Sequence, residues 1–382
     1  MIKSYIASTR EIDDAKAAVS EILSQLEPEK NMLKNSLGII SCFSEFEDTG
    51  VLKAVCDALP FDCIGATTSL CAAGKEIDQV LFNVTVLTSD DCNFKTAAVP
   101  LAEKCEESVK SVLTDVLGKS DEKPALFLSC FPLMSSVSGD MIISAIDKVT
   151  GGIPIFGTTA VDHRDDYSTS KTIRNGEAFR EAAVLAAIYG DVKFSFDVAS
   201  LDENKIRSQK AIITASEGNI LIGVNGKTVL EYLEEIGLTK SEVAKGLGII
   251  PLVVDNNDGT KPLARSVFAL TPEGYAVCGG AMPVGAALSV GSINSDDVIK
   301  TTERAFKPFV REDGVSLIYS CVARHLVLGA SGTLEAEKIR GMAGDGRYMF
   351  AYSGGEICPL ADANGKLKNY FHNYTVIFCR LS

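Results

Sequence analysis

A mixed α/β fold in two domains, with helices packed on mixed sheets, is what this 382-residue sequence predicts. Three observations carry the expectation. Apolar strand-like runs alternate with amphipathic helical stretches. A Ser-Cys pair closes three of those runs, which marks an internally repeated strand–helix–strand unit. Alternating runs between the units read as antiparallel strands.

The first helix is predicted over 11–26, where Ile12, Ala15, Val19, Ile22, Leu23 and Leu26 recur at helical spacing behind Glu11, Asp13 and Asp14. Leu37 to Phe43 reads as a buried strand ending in Ser41-Cys42. A helix over about 48–59 follows and stops before Pro60. A short run at Asp62-Cys63-Ile64 then breaks at Gly65-Ala66-Thr67-Thr68. The pattern recurs with a strand over 125–131 ending in Ser129-Cys130-Phe131, a helix face from Met141 to Val149, and a turn at Gly157-Thr158-Thr159. A looser third copy runs from Val315 through Ser320-Cys321 to Tyr348–Glu356. Antiparallel strands are expected at 79–88, 180–189 and 192–199, and a helix at 102–117. The polar stretch 200–210 divides a first domain, 1–200, from a second, 201–382. The second opens with a hairpin from Lys210 to Gly226 and a short helix ending near Gly237. Glycine-rich strands follow over 265–293.

Composition narrows the function. The chain is 46% hydrophobic and 23% charged, as soluble globular proteins are. Its formal charge of −13 argues against a nucleic-acid partner, because phosphate binding rests on Lys and Arg. No secretory signal opens it, and no apolar run approaches the length of about 18 residues that a membrane span needs. The eleven cysteines avoid CxxC spacing, so reduced cytoplasmic thiols are expected rather than disulfides or zinc.

Several motifs fail their own tests. Gly226-Lys227-Thr228 resembles the end of a phosphate loop, but Leu221 stands where the earlier glycine must be. Asn225-Gly226 suits a tight hairpin turn instead. Gly341 to Gly346 resembles an anion cradle but lacks a following helix start. There is no Gly-x-Ser-x-Gly elbow and no HExxH.

Helix crossovers make strand pairs parallel, and ligands in such sheets sit beyond the strands' carboxyl ends. Ser320 and Cys321 fall at such an end, as do Tyr352, Ser353 and Glu356. Arg324 offers a fork of donors suited to a carboxylate. With Glu356 it could hold the two ends of an amino acid, or the two could form a structural ion pair. His372, Asn373 and Thr375 lie in a strand-like His-Asn-Tyr-Thr run. Alternation would aim His372 and Tyr374 to one face and Asn373 and Thr375 to the other. Cys321, His372 and Glu356 could also serve as nucleophile, base and orienting acid, which would need a depressed Cys321 pKa.

The stretches Ser320-Cys321-Val322-Ala323-Arg324, Ser353-Gly354-Gly355-Glu356-Ile357 and His372-Asn373-Tyr374-Thr375 resemble signatures of the FIST C-terminal domain. Asn225-Gly226 and Met282-Pro283-Val284-Gly285 resemble other parts of it. Ile64 to Thr68 with Gly74, the strand from Leu81 to Leu87, and Phe156-Gly157 with Asp162 resemble the FIST N-terminal domain. Ala66, Ser69-Leu70-Cys71 and Phe156-Gly157-Thr158 depart from that domain's turns. The resemblance implies a stand-alone intracellular sensor of a small ligand, an amino acid or related metabolite, acting through a separate signalling protein. Its ligand-binding residues would be Ser320, Cys321, Arg324, Tyr352, Ser353, Glu356, His372, Asn373 and Thr375. No catalysis, metal or resident cofactor is expected. A haem-binding gas sensor with His325 or His372 as axial ligand is one alternative, a cysteine-dependent enzyme a second and a protein-interaction scaffold a third.

Overall fold

The computed structural model describes residues 1–101, 105–118, 122–134, 137–164, 166–207, 210–238, 250–306 and 314–382. Three chain segments build it on one plan. The first supplies β1 (Lys3–Thr9), β2 (Asn35–Cys42), β3 (Cys63–Thr67), β4 (Cys71–Ala73), β5 (Glu76–Asp78) and β6 (Phe82–Ser89). The second supplies β7 (Asn93–Pro100), β8 (Leu126–Phe131), β9 (Ile155–Thr159), β10 (Thr172–Arg174), β11 (Glu177–Phe179) and β12 (Ala182–Tyr189). The third begins with β13 (Phe194–Ala199) and resumes with β22 (Val315–Cys321), β23 (Tyr348–Ser353), β24 (Glu356–Ala361), β25 (Leu367–His372) and β26 (Val376–Leu381).

Between β13 and β22 lies an inserted eight-stranded sheet. Its strands are β14 (Ala211–Glu217), β15 (Ile220–Val224), β16 (Lys227–Thr228), β17 (Leu252–Asp255), β18 (Leu263–Arg265), β19 (Val267–Leu270), β20 (Ala276–Cys278) and β21 (Ala287–Val290). The insertion leaves and returns at one place. Ile206 bridges Gly291, and the Ser292 N–H donates to the Lys205 carbonyl at 2.9 Å.

The expected parallel pairs are present: β2 with β3, β8 with β9, and β22 with β23. Helices lie between many of the strands along the chain. They are α1 (Ala15–Leu26), α2 (Val51–Ala58), α3 (Cys105–Leu117), α4 (Gly139–Thr150), α5 (Val229–Glu235), α6 (Ser295–Ala305), α7 (Val322–Leu328) and α8 (Leu334–Ala343). Strand orders are β1-β6-β2-β3-β10-β11, β7-β12-β8-β9-β24-β25 and β13-β26-β22-β23-β4-β5. Each segment therefore keeps four strands and lends its hairpin to a neighbour. The first lends to the third, the second to the first, and the third to the second.

Side-chain alternation explains the packing. In β2, Leu37 and Ile39 face a core shared by all three sheets, while Ile40 and Cys42 face α1 and α2. Each such side chain, fully buried, contributes about 1.5–3 kcal/mol. Both faces of β2, β8 and β22 are covered, so they read as near-continuous apolar runs.

Several boundaries differ from the sequence reading. The first helix starts at Ala15, because the Asp14 carboxylate accepts from the Lys16 and Ala17 N–H groups and caps it there. The helix expected over 48–59 splits at Gly50, whose φ of 79° no helix tolerates. The helix expected over 102–117 is described from Cys105, and Ala102 lies outside the described residues. Asn225 (φ 53°) and Gly226 (φ 79°) make the predicted tight turn, and Thr228 then caps α5 in a capping box with Glu231. Residues 341–343 of the glycine-rich stretch belong to the last turn of α8. The division at residue 200 falls between β13 and β14, and two of the four sheets draw strands from both sides of it.

Candidate functional site

Strand β22 ends in Ser320-Cys321, and α7 begins at the next residue. The close junction drives Arg324 beneath the sheet end, where it is fully buried. Its donors are spent there. Nε reaches Ser320 Oγ at 3.1 Å and Glu335 Oε1 at 3.2 Å. Nη1 reaches Thr301 Oγ1 at 3.0 Å, and Nη2 reaches Glu335 Oε1 at 2.7 Å, Thr302 Oγ1 at 2.8 Å and the Val298 carbonyl at 2.9 Å. Ser320 Oγ donates to Glu335 Oε2 at 2.8 Å. A buried ion pair needs such complete satisfaction to offset desolvation. The expected Arg324–Glu356 pairing is thus replaced by Arg324–Glu335, and this guanidinium is not open to a ligand carboxylate.

Tyr352 and Ser353 hold shape. The Tyr352 hydroxyl donates to the Gly332 carbonyl at 3.1 Å, and its ring stacks on His325 with centroids 4.3 Å apart. Ser353 Oγ donates to the Gly355 carbonyl at 2.7 Å and accepts the Thr159 and Gly355 N–H groups at 3.2 Å. That turn carries the chain from the third sheet into the second. A Cβ at Gly355 would come within 2.0 Å of the Phe371 ring.

The turn delivers Glu356, the first residue of β24, into full burial. Its Oε2 accepts from Thr375 Oγ1 at 2.5 Å, and its Oε1 has no hydrogen-bond partner. Burial pushes the carboxyl well above its usual range; the Thr375 bond, the nearby Arg324 and a weak contact from the Cys321 thiol oppose this without prevailing. Cys321 lies alongside, its thiol also pushed up by burial and by Glu356. That is opposite to the activated thiol a cysteine mechanism requires.

His372-Asn373-Tyr374-Thr375 is not a strand throughout. Strand β25 ends at His372, and Tyr374 at φ 56° turns the chain into β26. The expected alternation of faces is therefore lost, because the left-handed residue reverses the chain. His372 Nε2–H donates to the Cys358 carbonyl at 2.9 Å, and burial lowers its pKa to about 4. Asn373 Nδ2 donates to the His372 carbonyl, and its Oδ1 accepts the Ser266 N–H at 3.2 Å from the inserted sheet. The buried Tyr374 hydroxyl, beside Ser266 and Cys278, has no partner of acceptable geometry.

Six of the nine predicted residues thus fall into two groups, while Tyr352, Ser353 and His372 spend their polar atoms on nearby backbone. Ser320 and Arg324 belong to a sealed ion-pair network. Cys321, Glu356, Asn373 and Thr375, with Tyr374, gather where the inserted sheet meets the third segment. Further ties cross that seam. Arg265 donates to the Phe371 carbonyl at 2.7 Å and to Asp140 Oδ1 at 3.4 Å, and Asp140 Oδ2 accepts the Ala281 N–H at 2.7 Å. At its outer end Asp258 accepts from Tyr370 at 2.5 Å and Lys368 at 2.7 Å, beside a crevice of about 230 Å³.

Glu335, Thr301, Thr302, Arg265 and Ser266 escaped the sequence reading. Glu335 carried one usable signal: it sits one residue before Ala336 and four before Ile339, on the buried face of α8.

Neither proposed haem ligand fits an axial role. The His325 ring lies flat on Tyr352, and a Cβ at Gly332 would come within 2.4 Å of its Nε2; the His372 Nε2 is taken by Cys358. Among the described residues no group of three or more His, Cys, Asp or Glu could hold a metal ion. Nor is any described helix long and apolar enough to cross a membrane.

No curated protein matches the chain. Solved structures similar to it include two cyanuric acid hydrolases. One, described as "Cyanuric acid hydrolase: evolutionary innovation by structural concatenation", is 8% identical, with all of this chain and 99% of that chain covered at a TM-score of 0.36. The other, a cyanuric acid hydrolase from A. caulinodans, is 12% identical over 50% of this chain and 71% of that one, at a TM-score of 0.26. Likenesses of this size carry no functional argument. The FIST N domain matches residues 36–227, and the FIST C domain matches residues 228–359. FIST domains are small-ligand sensory domains of signal transduction, and this chain belongs to the FIST family.

Proposed function

We propose that this protein senses a small ligand, an amino acid or related metabolite, at the seam between the inserted sheet and the third segment. It would report occupancy to a separate signalling protein. One observation supports this placement above the rest: Glu356 Oε1 and the Tyr374 hydroxyl are both buried there without partners. Unsatisfied buried polar atoms cost about 1–3 kcal/mol each, and a ligand that satisfied them would recover that. The seam is held by a handful of polar ties, notably Asn373–Ser266 and Arg265–Phe371. Ligand would bind better to one arrangement of the insert than to the other and so shift their populations.

A thermal-shift screen against amino acids, carboxylates, amines and haem tests the reading. A ligand at about 100 times its Kd stabilises by about 2.7 kcal/mol, worth a few degrees in Tm. The expected result is a selective shift that Glu356→Gln removes. Silence across the panel would abandon the sensor in favour of a protein-interaction scaffold.

A further inference from the structure

We propose that Glu356 is the ligand-recognising group of the seam, accepting a protonated amine on its unpartnered Oε1 and giving up one proton as it does so. The inference rests on the seam as the ligand site and adds the chemical class bound there. Three observations lead to it.

First, the site contains a complete half of a carboxylate site. Thr375 Oγ1 already donates to Oε2 at 2.5 Å, while Oε1 has nothing. A carboxylate accepts on both oxygens, so a donor is missing on one side.

Second, the cation that would otherwise fill that place is held elsewhere. Arg324 bonds to Glu335 from two nitrogens, at 2.7 and 3.2 Å. An anionic ligand would find no free cation beside Glu356. A cationic one would find a carboxyl whose neighbouring cation, Arg324, is already paired with Glu335.

Third, the surroundings are weak donors or none. Cys321 closes β22 beside the carboxyl, with its thiol kept protonated by burial. His372 faces Glu356 across β24 and β25, but its ring is neutral and spends Nε2 on Cys358. Thr158 of β9 is the register partner on the other side. The Tyr374 hydroxyl, beside Ser266 but with no partner of acceptable geometry, is a further polar group at the seam.

The step balances simply. The carboxyl is fully buried and the neighbouring Arg324 is paired with Glu335, which favours its protonated form in the resting protein. When the amine enters, the O–H bond breaks and the proton leaves to water. An N–H···O⁻ hydrogen bond forms in its place, and no electrons are transferred. Arrival of one positive charge and departure of one proton leave the buried site neutral throughout.

The test uses the full chain and ethylammonium chloride as probe, with sodium propionate as the isosteric anion. The infrared spectrum at neutral pH should contain a protonated-carboxyl band that Glu356→Gln deletes. Ethylammonium should bind with release of about one proton per molecule in weakly buffered indicator solution. Glu356→Gln should weaken binding about tenfold or more, the equivalent of one charge-assisted hydrogen bond. If Glu356→Gln fails to fold, Thr375→Val should weaken ethylammonium binding, because the ionised carboxyl loses its donor. The proposal is overturned if no band is lost, if ethylammonium does not bind, or if it binds without proton release. A carboxylate that stabilises the protein while ethylammonium does nothing would sink the amine assignment and leave the sensor reading standing.

Discussion

Arg324 and Glu335 meet at full burial, and each supplies the opposite charge that the other needs there. Arg324→Ala should therefore cost about 3–5 kcal/mol in urea unfolding, with part of the loss recovered when Glu335→Leu is added. An unchanged urea midpoint in Arg324→Ala would contradict the network. Two further residues set opposite pH trends. Glu356 has a raised folded pKa, so it binds more protons folded than unfolded; its contribution is full below its ordinary value of 4.5 and is lost as pH rises above that. His372 is lowered to about 4 from 6.5, so its contribution is full above 6.5 and is lost as pH falls toward 4. Glu356→Gln keeps the His372 trend and lacks the other, so its difference from wild type reports Glu356 alone, with a slope of up to about 1.4 kcal/mol per pH unit. Unfolding measured upward from pH 4.5 should show wild type losing stability relative to Glu356→Gln. Parallel curves would mean that Glu356 is ionised when folded. Most of the residues in the two clusters were legible as sequence, because Ser-Cys-x-x-Arg and His-Asn-x-Thr are unusual runs. Their partners were not. Glu335 and Ser266 are ordinary residues in sequence, and only the crossing of α8 and β18 over these strands gives them meaning.

At the level of elements, the lent hairpins depend on their turns. The β10–β11 turn docks on the first segment, where Asn175 Oδ1 accepts the Cys63 N–H at 2.7 Å. Asn175→Ala leaves that donor unpaired and should cost about 1–3 kcal/mol by thermal or urea unfolding. No loss would mean that the hairpin is held by its strands alone. Asn175 also sits at φ 50°, a conformation Asn tolerates better than Ala does. Strands and helices were legible where periodicity was strong, as in β2, β8 and α4. Ends were missed where a single capping residue decided them, as Asp14 and Gly50 did. The exchange of hairpins left no trace in the pattern of residues, because β4, β10 and β24 pair with strands far away in the chain. Local spacing carries no information about which edge a hairpin will find.

For the whole molecule, the insertion and the frame make different predictions. The insert leaves and returns at one bridge, Ile206 to Gly291, so replacing residues 207–291 by a short Gly-Ser linker should leave a frame that unfolds in one cooperative step. Separate expression of residues 1–200 and 201–382 should yield no such step from either piece, because sheets two and three lose strands in the cut. A cooperative transition in residues 1–200 alone would show the lent hairpins to be dispensable. The two-domain reading from sequence followed a real change in composition near residue 200, yet hydrogen bonding across that point is invisible to composition. The ring of lent hairpins also bears on synthesis. Strands β4 and β5 leave the ribosome early as a hairpin, but β23, the partner of β4, is made about 270 residues later. Throughout that interval they present unpaired edges, and contacts so distant in sequence form slowly. Nascent chains of this protein should therefore be clients of a holding chaperone until close to release, and a stop codon placed just before β26 should leave them in that state.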